Sequence, residues 1–211
     1  MAIGKKNSQQ VVGKLGNKVG YFLNGQFVMR TIGEFTGKPT KKQLSVRQAV
    51  KVTSAFLDPL MDFITVGFDI EGRRTKTNAQ NQAFSYIRRN AIEGIYPNVH
   101  VDFTHVILTL GNIPMPANIK ISLDESGIDC TWDVETKVDG LHWADQVMIV
   151  AYCESLSKAV FLTAGARRYK GKEHMPIFNM PKGHDLEIYV SFISEDRKRI
   201  ATSRYMGQLR W

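Results

Sequence analysis

Apolar residues recur at every second position along much of the C-terminal half of the chain. This alternation is typical of β-strands that bury one face, and short strands separated by turn residues are typical of an antiparallel sandwich. We therefore predict a β-sandwich over residues 99–211. Its strands are expected around Val99-Val101-Phe103, Ile119-Ile121-Leu123, Ile128-Cys130-Trp132-Val134, Val147-Ile149-Ala151-Cys153 and Leu186-Ile188-Val190-Phe192.

The apolar spacing is helical over residues 41–98. Thr40-Lys41-Lys42-Gln43 matches a capping box, which predicts that the first helix begins at Thr40. Pro59 lacks a backbone N–H and is predicted to kink or divide this helix. A second helix is expected over about residues 77–93, with Gly94 just after its C-terminus. The apolar face of the first helix comprises Leu44, Val52, Phe56, Leu60, Phe63 and Ile64.

The first forty residues predict a β-hairpin arm. Asn24-Gly25 stands between two apolar runs, and this dipeptide favours a type I′ turn because both of its residues tolerate a positive φ. Pairing across the turn sets Phe22 opposite Phe27 and Tyr21 opposite Val28. An isolated hairpin is marginally stable in water, so this one is expected to pack on the helices, join another sheet or pair with another chain. The predicted class is α+β, with an arm over 1–40, a helical segment over 41–98 and a sandwich over 99–211.

Three glycines precede the hairpin in the pattern Gly13-x-x-Gly16-x-x-x-Gly20. A phosphate-binding loop would end in Gly-Lys-Ser/Thr between a strand and a helix, and this segment has neither feature. Glycine inside a strand marks a bend or a close approach of another backbone. The pattern therefore predicts a bent β-ribbon whose backbone lies close to another segment.

Charge is unevenly distributed along the chain. Residues 1–100 contain 15 Lys and Arg against 6 Asp and Glu, a net charge of +9, whereas residues 101–211 contain 13 against 14, a net charge of −1. This asymmetry indicates that the N-terminal half faces something acidic. Nucleic acid, an acidic protein surface and a neighbouring copy of the protein all remain open.

The sequence offers few groups for chemistry. Cys130 and Cys153 lie within apolar alternation and are predicted to be buried, reduced thiols. The five histidines are not spaced as zinc ligands, and no Gly-x-Ser-x-Gly elbow is present. We therefore expect a non-enzymatic protein without a metal or a cofactor. The sequence shows neither a signal-peptide pattern nor a long apolar run, so synthesis in the cytoplasm without membrane insertion is expected, with the final location left open.

Two resemblances add to this interpretation. The segment from about Met115 to Trp211 resembles a fibronectin type III domain, on the strength of Trp132 at a strand end and the turn 180–183 before a long strand; Leu186 stands where that family usually has a tyrosine. Nearly the whole chain resembles a bacterial family of unknown function, found mainly in the Bacteroidota. The matching pieces are Gly13-Lys14-Leu15-Gly16, Val19-Gly20-Tyr21, Gly25-Gln26-Phe27-Val28-Met29-Arg30, Thr40, Gln43, Arg47, Gly67-Phe68 and Ser203-Arg204-Tyr205-Met206-Gly207.

Two functions follow as hypotheses. The first is a structural or assembly protein that self-associates, or docks on another protein, through the hairpin arm. Its interaction residues would be Tyr21, Phe22, Phe27 and Val28. The alternative is a nucleic-acid-binding protein that uses the basic half of the chain. Its phosphate contacts would be Lys14, Lys18, Arg30, Lys41, Lys42 and Arg47.

Overall fold

A computed structural model describes residues 3–4, 11–34, 37–134 and 143–211. The chain divides into two compact units, Met1–Thr40 and Lys41–Trp211, which we call unit 1 and unit 2. Among the described residues, no helix has the length and apolar character needed to cross a membrane.

Unit 1 is a four-stranded antiparallel sheet in the order β1-β2-β3-β4. Tight turns join its last three strands because Gly16, Asn24 and Gly25 adopt positive φ angles of 59°, 48° and 82°. The predicted hairpin is therefore present, and its register is confirmed: Phe22 pairs with Phe27, and Tyr21 with Val28. The strands are β1 (Ile3–Gly4), β2 (Val11–Leu15), β3 (Lys18–Leu23) and β4 (Gln26–Thr31).

Unit 2 begins with four helices: α1 (Lys41–Leu57), α2 (Met61–Gly67), α3 (Asp69–Thr75) and α4 (Ala79–Asn90). The predicted division at Pro59 is confirmed, since a 3₁₀ turn over Asp58–Leu60 separates α1 from α2. The second predicted helix is shorter than expected because the side chain of Asn78 caps it by accepting the N–H of Asn81 at 2.7 Å. The helix α3 was not predicted.

The segment expected as the first sandwich strand has another role. β6 (His100–Val101) pairs only with β5 (Ile92–Glu93), in a short ribbon next to α4. The strand stops because the Asp102 carboxylate accepts the N–H of Thr104 at 2.9 Å and starts a 3₁₀ turn over Phe103–His105.

The remaining strands form two antiparallel sheets, so the protein is of mixed α+β class as predicted. One sheet has the order β10-β9-β12-β13 and the other β11-β8-β7. The strands are β7 (Lys120–Leu123), β8 (Gly127–Thr131), β9 (Gln146–Cys153), β10 (Lys158–Leu162), β11 (Lys172–Pro176), β12 (Asp185–Ile193) and β13 (Arg204–Arg210).

The two central strands of the larger sheet are buried on both faces. On one face, Ile149 of β9 and Ile188 of β12 belong to a core shared with Ile128 of the smaller sheet. On the other face, Val150 and Tyr189 belong to a core shared with the helices. Residues 147–153 are therefore apolar without interruption, whereas a sheet with one exposed face would alternate.

Both cysteines lie in the core between the two sheets, buried and unbridged, as predicted. Burial raises the pKa of the Cys130 thiol to about 12, because the thiolate would be desolvated. The thiol is therefore protonated and unreactive at neutral pH.

Candidate self-association surface

The sheet of unit 1 has two faces of different chemistry. Residues that pair across strands share a face, and neighbours along a strand alternate between faces. We call one side the apolar face; it carries Leu15, Gly20, Phe22, Phe27 and Met29, together with Lys18 and Thr31 at one end. We call the other side the cationic face; it carries Lys14, Val19, Tyr21, Val28 and Arg30, together with Leu23 and Gln26 at the hairpin turn.

The apolar face leaves large side chains half exposed. Leu15 is 55% exposed, Phe22 47% and Met29 43%. The rings of Phe22 and Phe27 meet edge to face, with centroids 5.6 Å apart and an interplanar angle of 65°. This pair is the only contact between two aromatic rings within the described residues of unit 1, so the face lacks the packing that a core would give it.

Gly20 lies where the backbone of Val11 and the Phe27 ring approach β3 closely. A Cβ atom at Gly20 would lie 2.1 Å from the carbonyl oxygen of Val11 and 2.9 Å from the Phe27 ring, so no larger residue fits without a backbone shift. The predicted close approach of another backbone is found at this position.

Unit 1 has almost no interior of its own. Gly20 is the only buried residue among its described positions, 11–34 and 37–40. Six large apolar side chains in the described part of unit 1 are exposed instead of buried: Val12, Leu15, Phe22, Leu23, Met29 and Ile32. A four-stranded sheet of this size normally covers at least one face, because three or more strands need a hydrophobic face or a helix to pack on.

The structure separates the residues predicted for self-association. Phe22 and Phe27 lie on the apolar face, whereas Tyr21 and Val28 lie on the cationic face. Leu15 and Met29, which the sequence analysis did not select, complete the apolar face. Their signal in the sequence was the alternation through β4, in which Met29 follows Phe27 by two positions.

The predicted phosphate contacts are also divided. Lys14 and Arg30 flank Val19 in one row of the cationic face, whereas Lys18 lies on the opposite side of the sheet. The guanidinium of Arg30 lies 6.0 Å from the centroid of the Tyr21 ring, at the limit of a cation–π contact. Lys41, Lys42 and Arg47 belong to α1 in unit 2, and the six cations form no ion pair among the described residues.

Unit 2 contains a hydrogen-bonded histidine that the sequence analysis did not single out. His174 on β11 pairs across the sheet with Asp129 on β8, and its Nδ1 lies 2.8 Å from the Asp129 carboxylate. Its Nε2 lies 3.1 Å from the Ser126 hydroxyl. The hydrogen bond to Asp129, followed by the negative charges of Asp124, Asp129 and Glu173, raises the pKa of His174.

Ser126, His174 and Asp129 are hydrogen-bonded in the order of a hydrolase triad, but the surrounding hydrogen bonds serve to hold a turn. The Asp124 carboxylate accepts the backbone N–H groups of Ser126 and Gly127 at 2.7 and 2.8 Å, and the Ser126 hydroxyl donates to the same oxygen at 2.8 Å. The amides that would stabilise an oxyanion are therefore already bonded. The arrangement fixes the turn between β7 and β8.

Two sets of side chains bring potential metal-ligand atoms within 4.8 Å of one another. One consists of Glu93, Asp102 and His105, and the other of Asp124, Asp129 and His174. In the first set, the pKa of Asp102 is lowered to about 2 by the Thr104 hydroxyl and then by His105. Exposed histidines and carboxylates pair in this way without an ion, and neither set carries a functional assignment.

Comparison with known proteins gives one match. No curated protein and no solved structure is significantly similar to the chain. A family profile described as "Family of unknown function (DUF6266)" matches residues 8–207, which is nearly the whole length. The chain therefore belongs to the DUF6266 family, whose function is unknown.

Proposed function

We propose that this protein is a non-enzymatic structural protein that self-associates through the sheet of unit 1. The observation that carries the proposal is the concentration of half-exposed apolar side chains on a sheet whose described residues include one buried position, Gly20. Full burial of a Leu or Phe side chain is worth about 1.5–3 kcal/mol, so covering a half-exposed one adds about half of that. Association covers several such side chains at once.

Unit 2 supplies the stable body that the assembly would display. We propose that its two sheets form a fibronectin type III-like sandwich. The strand orders β10-β9-β12-β13 and β11-β8-β7 and the core between the sheets support this comparison. In this proposal the body contributes no catalytic group, and unit 1 makes the contacts between copies.

Paired aspartate substitutions on the apolar face test the proposal. Leu15→Asp with Phe22→Asp places two charges where the proposal buries two side chains, and we expect the molar mass in sedimentation equilibrium to fall below that of the wild-type protein. The matched control is Ile95→Asp with Phe178→Asp, which changes side chains of unit 2 that are 80% and 68% exposed. An assembly unchanged by the first pair, in protein that stays folded by circular dichroism, would reject the proposal.

Nucleic-acid binding is the second candidate, and the cationic face favours it. Lys14 and Arg30 lie in one row beside the Tyr21 ring, which offers a stacking surface next to two cations. Binding of this kind weakens as salt rises, with a logarithmic slope of about 0.9 per neutralised phosphate on a duplex.

The cationic face is tested separately from the apolar face. Lys14→Glu with Arg30→Glu should abolish binding of a labelled single-stranded oligonucleotide in fluorescence anisotropy, while the pair at Leu15 and Phe22 leaves it intact. Binding that does not respond to salt between about 50 and 200 mM, or no binding at all, would reject this candidate.

A further inference from the structure

We propose that β4 pairs with β4 of a second copy in antiparallel orientation, so that one sheet continues through both copies. This inference rests on the proposed function, names a second copy as the partner and adds an edge contact to the covering of the apolar face. The two-fold axis would pass beside Met29, the centre of the pairing. This edge contact would be made by main-chain hydrogen bonds. It joins the apolar faces of the two copies into one continuous surface, which leaves Leu15 of β2 and Phe22 of β3 to be covered by a separate face contact.

The hydrogen bonds of the hairpin determine which groups of β4 point outward. In an antiparallel pair, alternate residues direct both N–H and C=O to the partner strand. The N–H of Ile32 donates to the carbonyl of Asn17 at 2.6 Å, so the even-numbered residues of β4 bond inward to β3. Phe27, Met29 and Thr31 therefore direct their N–H and C=O groups to the outer edge.

This edge lacks the features with which proteins protect a sheet edge. β4 spans six residues, contains no proline and carries a single charge, on Arg30. Among the described residues, no strand pairs with β4 on the side away from β3. Natural edge strands are usually short, charged, bulged or interrupted by proline, because an open edge recruits another strand.

The sequence of β4 is complementary to itself in one register. When Met29 faces Met29 of the second copy, Phe27 faces Thr31 at both ends and all three outward residues form hydrogen-bonded pairs. In this register Val28 faces Arg30, so no like charges stand opposite each other. The side chains of Phe27 and Met29 remain on the apolar face in both copies.

The two neighbouring registers of the β4–β4 pair are less favourable than the one centred on Met29. Outward residues must pair with outward residues, so the register changes in steps of two. One shift sets Arg30 opposite Arg30 of the second copy, which is unfavourable. The other sets Thr31 opposite Gly25, a turn residue with φ of 82°, and loses one hydrogen-bonded pair. An identical strand thus fits this edge in one register, which is our reason for choosing a second copy as the occupant.

The net positive charge of unit 1 opposes this contact. Residues 1–40 contain six Lys and Arg against one Glu, so two copies of unit 1 repel each other. Salt screens this repulsion, and the Debye length falls from about 10 Å at 0.1 M to about 3 Å at 1 M. Self-association through β4 is therefore expected to strengthen with salt, the opposite of nucleic-acid binding.

A substitution at Met29 tests the main-chain bonds. Met29→Pro removes an outward N–H from each copy while leaving the inward bonds of the hairpin, and we expect the dissociation constant of the dimer to rise about tenfold or more. Met29→Thr is the matched control. It also removes the methionine side chain, but it keeps the backbone N–H, and threonine has a high propensity for β-strands. Equal dissociation constants for the two variants would overturn the pairing.

Cross-linking tests the register. Cysteine at position 29 would face its counterpart with Cα atoms about 5.5 Å apart, within the range of a disulfide, so Met29→Cys should give a covalent dimer on oxidation. Thr31→Cys is the control, since its two copies would lie about 14 Å apart along the strands. Cys130 and Cys153 are buried and contribute little background.

The outcomes separate this inference from the proposed function. A dimer by light scattering with no cross-link at position 29, or with equal cross-linking at positions 29 and 31, overturns β4 pairing and leaves self-association standing. A wild-type protein that is monomeric at every concentration overturns both. A cross-link at position 29 alone, with dissociation promoted by proline, supports β4 pairing and self-association through unit 1. The variant Leu15→Asp with Phe22→Asp then tests the face contact separately.

Discussion

The two four-stranded sheets of this protein have the same antiparallel design and opposite surroundings. In unit 2, β9 and β12 are covered by helices on one face and by a second sheet on the other. In unit 1, β3 and β4 expose leucine, phenylalanine and methionine side chains to solvent. Strand formation itself needs only turns and alternation, whereas stability comes from what covers the faces. The contrast is the basis of our proposal that unit 2 provides stability and unit 1 a contact surface.

The first prediction compares the same substitution, phenylalanine to alanine, in the two sheets, and it has the largest expected effect on stability. Phe192 on β12 is fully buried, and its ring lies 5.2 Å from that of Trp132. Phe192→Ala should lower the free energy of unfolding by about 3–5 kcal/mol in urea denaturation, through lost transfer energy and a cavity. Phe22→Ala, at a half-exposed site in unit 1, should cost less than about 1 kcal/mol at concentrations where the protein is monomeric. Similar losses at both sites would contradict the contrast.

The second prediction concerns Gly20, where another backbone approaches β3 closely. Gly20→Ala places a methyl group against the Val11 carbonyl and the Phe27 ring, and forcing such a contact typically costs about 1–3 kcal/mol. We expect self-association to weaken while the thermal transition of unit 2 stays in place, as measured by light scattering and calorimetry. Gly33→Ala is the control, because a Cβ atom there has no neighbour within 4 Å. A downward shift of the unit 2 transition in Gly20→Ala would show that the two units depend on each other.

Local features were predictable from the sequence. The register across Asn24-Gly25 follows from a turn that needs two positive φ angles, and the break at Pro59 follows from a missing N–H. The burial of Cys130 and Cys153 follows from apolar alternation around each thiol. In each case, residues within one short segment determine the outcome.

Features that depend on distant segments were missed. The helices cover β9 on the side of Met148 and Val150, and the uninterrupted apolar run there was interpreted as alternation. His174 and Asp129 are 45 residues apart and meet only because β8 pairs with β11. The division of unit 1 into an apolar and a cationic face required the pairing of β2 with β3 as well as the hairpin.

The smallest effect is electrostatic and lies in unit 2. The pKa of His174 is raised, first by its hydrogen bond to Asp129, so the protonated form stabilises the folded turn. This contribution is fully present below the ordinary histidine pKa of about 6.5 and is lost as pH rises through the folded-state pKa. In an NMR titration, Asp129→Asn should lower the His174 pKa toward the ordinary value.

A nearby carboxylate provides the control for this prediction. Glu125 lies in the same turn and is exposed, so Glu125→Gln should shift the His174 pKa less than Asp129→Asn does. Equal shifts in the two variants would mean that general charge, and not the hydrogen bond, sets the pKa. Unit 1 has no histidine among its described residues, so its association should not follow this titration.

The most direct test of the account is the molar mass of the full chain by light scattering, over a range of protein concentration at low and high salt. We expect a mass above the 23.9 kDa of one chain, rising with concentration and with salt as like charges on unit 1 are screened. A mass of 23.9 kDa under all conditions would contradict it.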